Sequence, residues 1–283
     1  MGGKSLELRQ QFKQYDDVRD AGLTTPPGIR RFDDILYGRD PAWQKLDVYR
    51  PADAAGRLPV IVSFHGGAWA YGDKERYQFY CMELAGHGFA VVNYTYRLTP
   101  EHQFPAPFED TNLVFSWVLE HAEDYGFDTE RIFAVGDSAG AQGLALYACI
   151  LTNPDYAAHF SFTPPDALQL RGIALNCGIY TTDEILDSYE DFLPTPEALQ
   201  ELDVIRYLTA QFPPCFVMTS NMDFLRKEPD KLLPVLKQLG IRHEYRCCGK
   251  EPEQLWHVFH CDIRSAAAKQ LNDEECAFFS SLL

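Results

Sequence analysis

The first residue whose setting suggests chemistry is a serine held between glycines. Gly136-Asp137-Ser138-Ala139-Gly140 follows the apolar run RIFAV and precedes a run of small residues and leucines. A strand that turns sharply into a helix at this point would hold Ser138 at the apex, in a strained backbone conformation with its Oγ exposed. Side chains at the two glycine positions would collide with neighbouring backbone. The N–H of Ala139, at the start of the helix, would point into the same space. A hydroxyl presented in this way suits nucleophilic attack on an acyl carbon. The alternative is an ordinary glycine-rich turn. Asp137 reads as a carboxylate that fixes the loop, and it is also a candidate contact for substrate.

Acyl transfer through a serine builds a negative oxygen that needs aimed donors. His65-Gly66-Gly67-Ala68-Trp69 closes another apolar run, PVIVSF, 73 residues before Ser138. Glycines let backbone approach closely and turn its N–H groups inward, so this segment is the candidate oxyanion loop. A plain strand-to-loop turn is the alternative. His65 is expected to hold the loop by hydrogen bonds rather than to act as a base. Trp69 is expected to wall an acyl or alcohol pocket.

The serine needs a base, and the base needs an orienting carboxylate. After a strand–serine–helix turn the chain order is serine, acid, histidine. Asp223 follows the apolar run CFVMTS, 85 residues after Ser138. The C-terminal end of such a strand is where ligand chemistry collects in an open α/β sheet. His257, in QLWHVFH, follows the final strand candidate and precedes the final helix. Asp230 competes for the acid from within the next helix, and His260 competes for the base.

These residues must be positioned by the elements around them. Strand candidates are RRFDDILYG, KLDVYR, PVIVSF, FAVVNYTY, RIFAVG, LRGIALNC, CFVMTS and HEYRCC. Several are continuous apolar runs, as expected of strands covered on both faces. Helix candidates are ERYQFYCMELAGHG and residues 106–122, 138–151, 229–240 and about 263–281. The alternation predicts a mostly parallel sheet wrapped by helices. Two stretches interrupt it: residues 1–30, a helix and a Pro-rich turn, and residues 178–208. Within the second, the run from Asp183 to Asp203 holds eight acids and no Lys or Arg. Each is a candidate cap or lid segment, with plain acidic surface as the alternative for the second. Pro100, Pro105 and Pro107 should stiffen the loop before the helix at 108–122. Arg97 and Glu101 are expected to pair beneath the serine turn.

HGGAW at 65–69, YRLTPEHQFPAPFED at 96–110, GDSAG at 136–140, MDFLR at 222–226 and HVF at 257–259 occur in the order found in α/β-hydrolase esterases. From residue 30 to the end the chain resembles the hormone-sensitive-lipase-like branch of carboxylesterases. That resemblance implies an α/β-hydrolase fold with a mostly parallel eight-stranded sheet and a small cap, in one domain covering residues 1–283. It implies a Ser138–Asp223–His257 triad. It also implies an oxyanion hole made by the N–H groups of Gly67, Ala68 and Ala139, shaped by Gly66. Ala68 stands where that branch usually has a third glycine, as in the smaller feruloyl-esterase-like and formamidase-like enzymes, and the N-terminal cap portion is short. The activity implied is hydrolysis of small, short-acyl, neutral or cationic esters, with no cofactor and no metal. A carbohydrate-linked acetyl or feruloyl ester, or an amide, would suit the same triad. A non-catalytic small-molecule binder on this fold is the reading of a different class.

Composition bounds the partners. The 283 residues are 46% hydrophobic and 23% charged, an ordinary globular mixture. A chain of this length buries about three quarters of its unfolded surface, so it needs no metal or disulfide staple. The formal charge of −16 repels nucleic-acid backbones and anionic lipid surfaces. The eight cysteines include no CxxC pair, so they read as reduced, small hydrophobic residues. The sequence MGGKSLELRQ has neither a signal-peptide core nor a myristoylation pattern, and no apolar run is long enough to span a bilayer. The expected setting is cytoplasmic, with a small-molecule ester as partner and a homodimer left open.

Overall fold

The continuous apolar runs form the middle of one eight-stranded sheet. The structure, a computed structural model, describes residues 3–183 and 186–283. The strands are β1 (Ile29–Leu36), β2 (Lys45–Pro51), β3 (Leu58–Phe64), β4 (Ala90–Tyr94), β5 (Phe127–Asp137), β6 (Leu170–Asn176), β7 (Cys215–Ser220) and β8 (His243–Cys248). Their order is β1-β2-β4-β3-β5-β6-β7-β8. β2 runs antiparallel to both neighbours, and the pairs from β4 to β8 are parallel. All residues of β4 and β7 are buried, which is why these strands read as unbroken apolar runs rather than alternating ones.

The longer helices are α1 (Gly3–Asp20), α2 (Lys74–Gly86), α3 (Ala106–Glu120), α4 (Ala139–Thr152), α5 (Glu228–Gln238) and α6 (Ala266–Ser280). One face of the sheet, with Val60, Val62 and Phe64, packs on α3, α4 and α5 through residues such as Phe115, Leu146 and Leu232. The other face, with Ile61, Val91 and Phe133, packs on α2 and α6 through Tyr80, Leu84, Leu271 and Phe278. Helices on both faces are what parallel strands require. Six of the cysteines, at 81, 149, 177, 215, 261 and 276, are buried thiols in these layers. Among the described residues, no helix is long and apolar enough to cross a membrane.

Three expectations need correction. β5 begins at Phe127, not near residue 131. Its first residues pair with Leu58 and Pro59 ahead of a register shift, and the polar stretch Asp128–Arg131 hides that start in the sequence. Arg97 does not pair with Glu101. Its guanidinium meets Glu109 at 2.8 Å and Asp110 at 2.9 Å on α3, while Glu101 meets Arg9 of α1 at 2.8 Å. Pro107 lies within the first turn of α3 rather than in the loop before it.

Of the segment 178–208, Glu184 and Ile185 lie outside the described residues. The rest forms short helical turns at Tyr189–Phe192, Pro196–Leu202 and Val204–Tyr207. Tyr180, Tyr189, Phe192, Leu202 and Val204 are buried in the same cluster as the sheet. Its acids meet cations from elsewhere: Lys231 lies 3.1 Å from Asp183, and Lys4 lies 3.5 Å from Glu190.

Candidate active site

The parallel register brings the chemistry-bearing segments to one edge of the sheet. Phe64 of β3 lies opposite Gly136 of β5, Asp137 of β5 opposite Asn176 of β6, and Asn176 opposite Met218 of β7. The loops after β3, β5 and β7 therefore leave the same end of the sheet, with β6 between the last two. Ser138 sits between β5 and α4 with φ 54°, a left-handed conformation unusual for a serine. Its N–H donates to the carbonyl of Asn176 at 2.8 Å, which anchors the strained turn. A Cβ on Gly136 would come within 2.5 Å of the Gly140 carbonyl oxygen, so the flanking glycines let the turn close on itself.

His257 Nε2 lies 2.9 Å from Ser138 Oγ, and His257 Nδ1 lies 2.8 Å from Asp223 Oδ1. Asp223 is fully buried at the end of β7. Its Oδ1 also accepts from the Leu225 N–H at 2.9 Å, and its Oδ2 from Thr219 Oγ1 at 3.0 Å. Burial alone would raise this carboxyl's pKa. The bonds from His257 and Leu225 outweigh it and hold the group below its ordinary value. His257 is half-buried, with the ring of Phe224 4.5 Å away and Phe224 itself 66% exposed. A serine, imidazole and carboxylate so joined can pass a proton from the hydroxyl to the ring while the carboxylate steadies the charged ring.

The competitors are elsewhere. Asp230 is exposed on α5. His260 is fully buried, edge-on to Tyr80, and burial pushes it down to about 3; its Nε2 faces Cys261 Sγ at 3.6 Å.

The loop after β3 is held from several sides. Gly67, Ala68 and Trp69 have φ of 121°, 53° and 62°, three successive residues in a region that costs non-glycine residues about 1–3 kcal/mol each. His65 Nδ1 bonds the Gly66 carbonyl at 2.7 Å, and its ring stacks on Tyr96 with centroids 4.0 Å apart. Burial lowers His65 to about 4, so at neutral pH it is an uncharged fastener. Among the described residues, the N–H groups of Gly67, Ala68 and Ala139 donate to no carbonyl in the turns and loops. Gly66 differs: its N–H donates to Tyr77 Oη at 3.1 Å. With its N–H taken by Tyr77, Gly66 shapes the loop and supplies no donor to the space before Ser138.

The two substrate-contact candidates are placed away from solvent. Trp69 is fully buried, stacked on Phe192 at 4.7 Å, with its Nε1 donating to Gln142 Oε1 at 3.3 Å. It packs behind the loop rather than presenting an open wall. Asp137 is buried and accepts from Tyr77 Oη at 2.6 Å. Burial raises it to about 7 despite that bond. It fixes the loop, as its place beside the serine suggests, and offers no exposed face to a substrate.

With this geometry in view, comparison with known proteins is decisive. The family profile described as BD-FAE matches residues 46–226, which span the loop after β3, the serine turn and Asp223. The chain belongs to the BD-FAE family. It is also similar to carboxylesterase NlhH of Mycobacterium tuberculosis, 28% identical over 245 residues, covering 78% of this chain and 75% of that protein. Carboxylic ester hydrolase LipN of the same organism is 36% identical over 240 residues, covering 77% of this chain and 62% of LipN. Matches to several other relatives span about half of their length or less, as with esterase LipC at 50%. Esterase B from Lactobacillus rhamnosis superposes with a TM-score of 0.88 at 23% identity, covering 100% of this chain and 96% of that one. The fold is thus the α/β-hydrolase fold, and the kinship of this BD-FAE chain is with carboxylic-ester hydrolases.

Sequence reasoning missed Tyr77, Thr219 and Arg9. Thr219 lies on β7 four residues before Asp223, but β7 ends at Ser220 and the turn after it breaks any period-two signal. Tyr77 and Arg9 come from other helices, and no local pattern announces them.

Proposed function

We propose that the protein is a serine carboxylesterase using Ser138, His257 and Asp223. The observation that carries the reading is the unbroken hydrogen-bonded chain from Asp223 through His257 to Ser138 Oγ, at 2.8 and 2.9 Å. Ser138 Oγ attacks the ester carbonyl as its proton passes to His257 Nε2. Asp223 keeps the Nδ1–H directed toward itself and stabilises the charged imidazole. The carbonyl oxygen, now negative, takes hydrogen bonds from the N–H groups of Gly67, Ala68 and Ala139. His257 returns the proton to the leaving alcohol, and water, activated by the same ring, releases the acid. These steps need no cofactor or metal.

The substrate we propose is a small, short-acyl, neutral or cationic ester. The charge of −16 disfavours anions, and the Trp69–Phe192 stack fills space behind the oxyanion loop. The same reading takes the chain as one hydrolase domain, with the segments at 1–30 and 178–208 as its cap. Hydrolysis of p-nitrophenyl acetate, butyrate and octanoate tests the substrate. Acetate and butyrate should give the higher kcat/KM; a strong preference for octanoate contradicts the short-acyl part.

A further inference from the structure

We propose that Tyr77 is a positioning residue that locks the oxyanion loop to the serine turn, an inference that rests on the serine-esterase reading above. Tyr77 reaches from the first turn of α2, and its hydroxyl lies between the two segments. It accepts from the Gly66 N–H at 3.1 Å and donates to Asp137 Oδ2 at 2.6 Å. The direction is fixed, because a backbone N–H can only donate, so the single phenolic proton is left for the carboxylate. Gly66 immediately precedes the donors Gly67 and Ala68, and Asp137 immediately precedes the nucleophile. One hydroxyl therefore sets the spacing between the two halves of the site.

The sheet cannot set that spacing by itself. The β3–β5 pairing ends at Phe64 opposite Gly136, and beyond it the chain after β3 leaves the sheet while Asp137 is paired only with Asn176 of β6. Gly66 leads directly into the run of three positive-φ residues, which persists only where its surroundings over-determine it. The junction has no slack. A Cβ on Gly66 would come within 2.7 Å of both the backbone oxygen and Oδ2 of Asp137, and within 3.1 Å of Tyr77 Oη. The glycine is needed for this close approach. Buried polar groups joined in a closed set fix a geometry more sharply than apolar contacts do. Tyr77 acts through Gly66 and Asp137 and is given no contact with the reacting atoms.

The test uses the full chain with p-nitrophenyl acetate, comparing wild type, Tyr77→Phe and Ser138→Ala. Tyr77→Phe removes one oxygen and keeps the ring. Outright loss of an oxyanion donor costs about 10²–10³ in kcat. Here the donors remain but are less well held, so kcat should fall about 10–100-fold. KM should stay within about twofold, and the shape of the pH profile should be unchanged. Labelling of Ser138 by a fluorophosphonate should slow in parallel. Asp137→Asn keeps an oxygen to accept from Tyr77 and should lose less kcat than Asp137→Ala. A kcat for Tyr77→Phe within twofold of wild type overturns the proposal, as does a loss confined to KM. Should Tyr77→Phe not fold, the Asp137 pair carries the test, and equal losses in the two overturn it. Failure of the esterase reading looks different: the wild type itself is then neither turned over nor labelled.

Discussion

Two helices hold the loop after β3, and they hold it by different physics. In α4, every residue from Ala139 to Ile150 is buried. In α1, only Ser5 is buried along 18 residues. α4 reaches the loop through Gln142, which accepts from Trp69 Nε1 at 3.3 Å and from Tyr189 Oη at 2.9 Å, all three side chains buried. α1 reaches it with charge. Arg9 Nε donates to the Ala70 carbonyl at 2.6 Å while its guanidinium holds Glu101, and Asp16 accepts from Tyr71 Oη at 2.9 Å. The floor of the site is fixed by burial and its rim by ions. Burial is largely indifferent to salt, whereas exposed ion pairs are screened and worth about 0–1 kcal/mol each. One site thus has two kinds of support with separate sensitivities.

The largest expected effect lies in the floor. Leu146→Ala empties a fully buried position of α4 and should cost about 2–5 kcal/mol in urea unfolding. A cost under about 1 kcal/mol would mean that α4 is not held as described.

Burial on the other face of the sheet, beneath the serine turn, should carry the pH dependence. Glu275 of α6 is buried beneath the serine turn, accepting from Tyr80 Oη at 2.8 Å and from Asn176 Nδ2 at 2.7 Å. Burial raises it to about 7 from an ordinary 4.5, although both hydrogen bonds pull it down. A carboxyl with a raised folded pKa contributes stability that is fully present below its unfolded pKa and lost as pH rises through its folded pKa. The window is therefore about pH 4.5 to 7. Buried His65 and His260 are shifted down, to about 4 and about 3, and titrate in the opposite sense, so the informative quantity is a difference. The stability of Glu275→Gln relative to wild type should improve from pH 5 to pH 8, by on the order of 1–2 kcal/mol. A pH-independent difference would contradict this.

The smallest effect belongs to the rim. Arg9→Ala should cost less than about 1 kcal/mol in stability and lower kcat/KM about 2–10-fold at low salt. In 1 M NaCl wild type should drop toward the variant, while the variant changes little. Equal responses to salt in the two would erase the distinction between floor and rim.

The serine turn, the HGG loop and Asp223 were legible in the sequence because each follows directly on a strand, and His257 because chain order places it between the last strand and the last helix. The apolar runs marked the strands for the same reason. What was not legible depends on distant partners. Arg97 and Glu101 are four residues apart, but the intervening chain is not helical. Asp110, fully buried at the start of α3, takes the guanidinium instead. Gly66 gives no sign in sequence that its N–H is taken by Tyr77, eleven residues on. Trp69 reads as a pocket wall from its motif, yet Phe192 and Gln142 close over it from the turn at Tyr189–Phe192 and from α4.

The central claim is that Ser138 and His257 act as nucleophile and base, and hydrolysis of p-nitrophenyl acetate by wild type, Ser138→Ala and His257→Ala tests it most directly. The account predicts turnover by wild type and a loss of about 10³-fold or more in each variant. Turnover retained by either variant within about tenfold of wild type would contradict it.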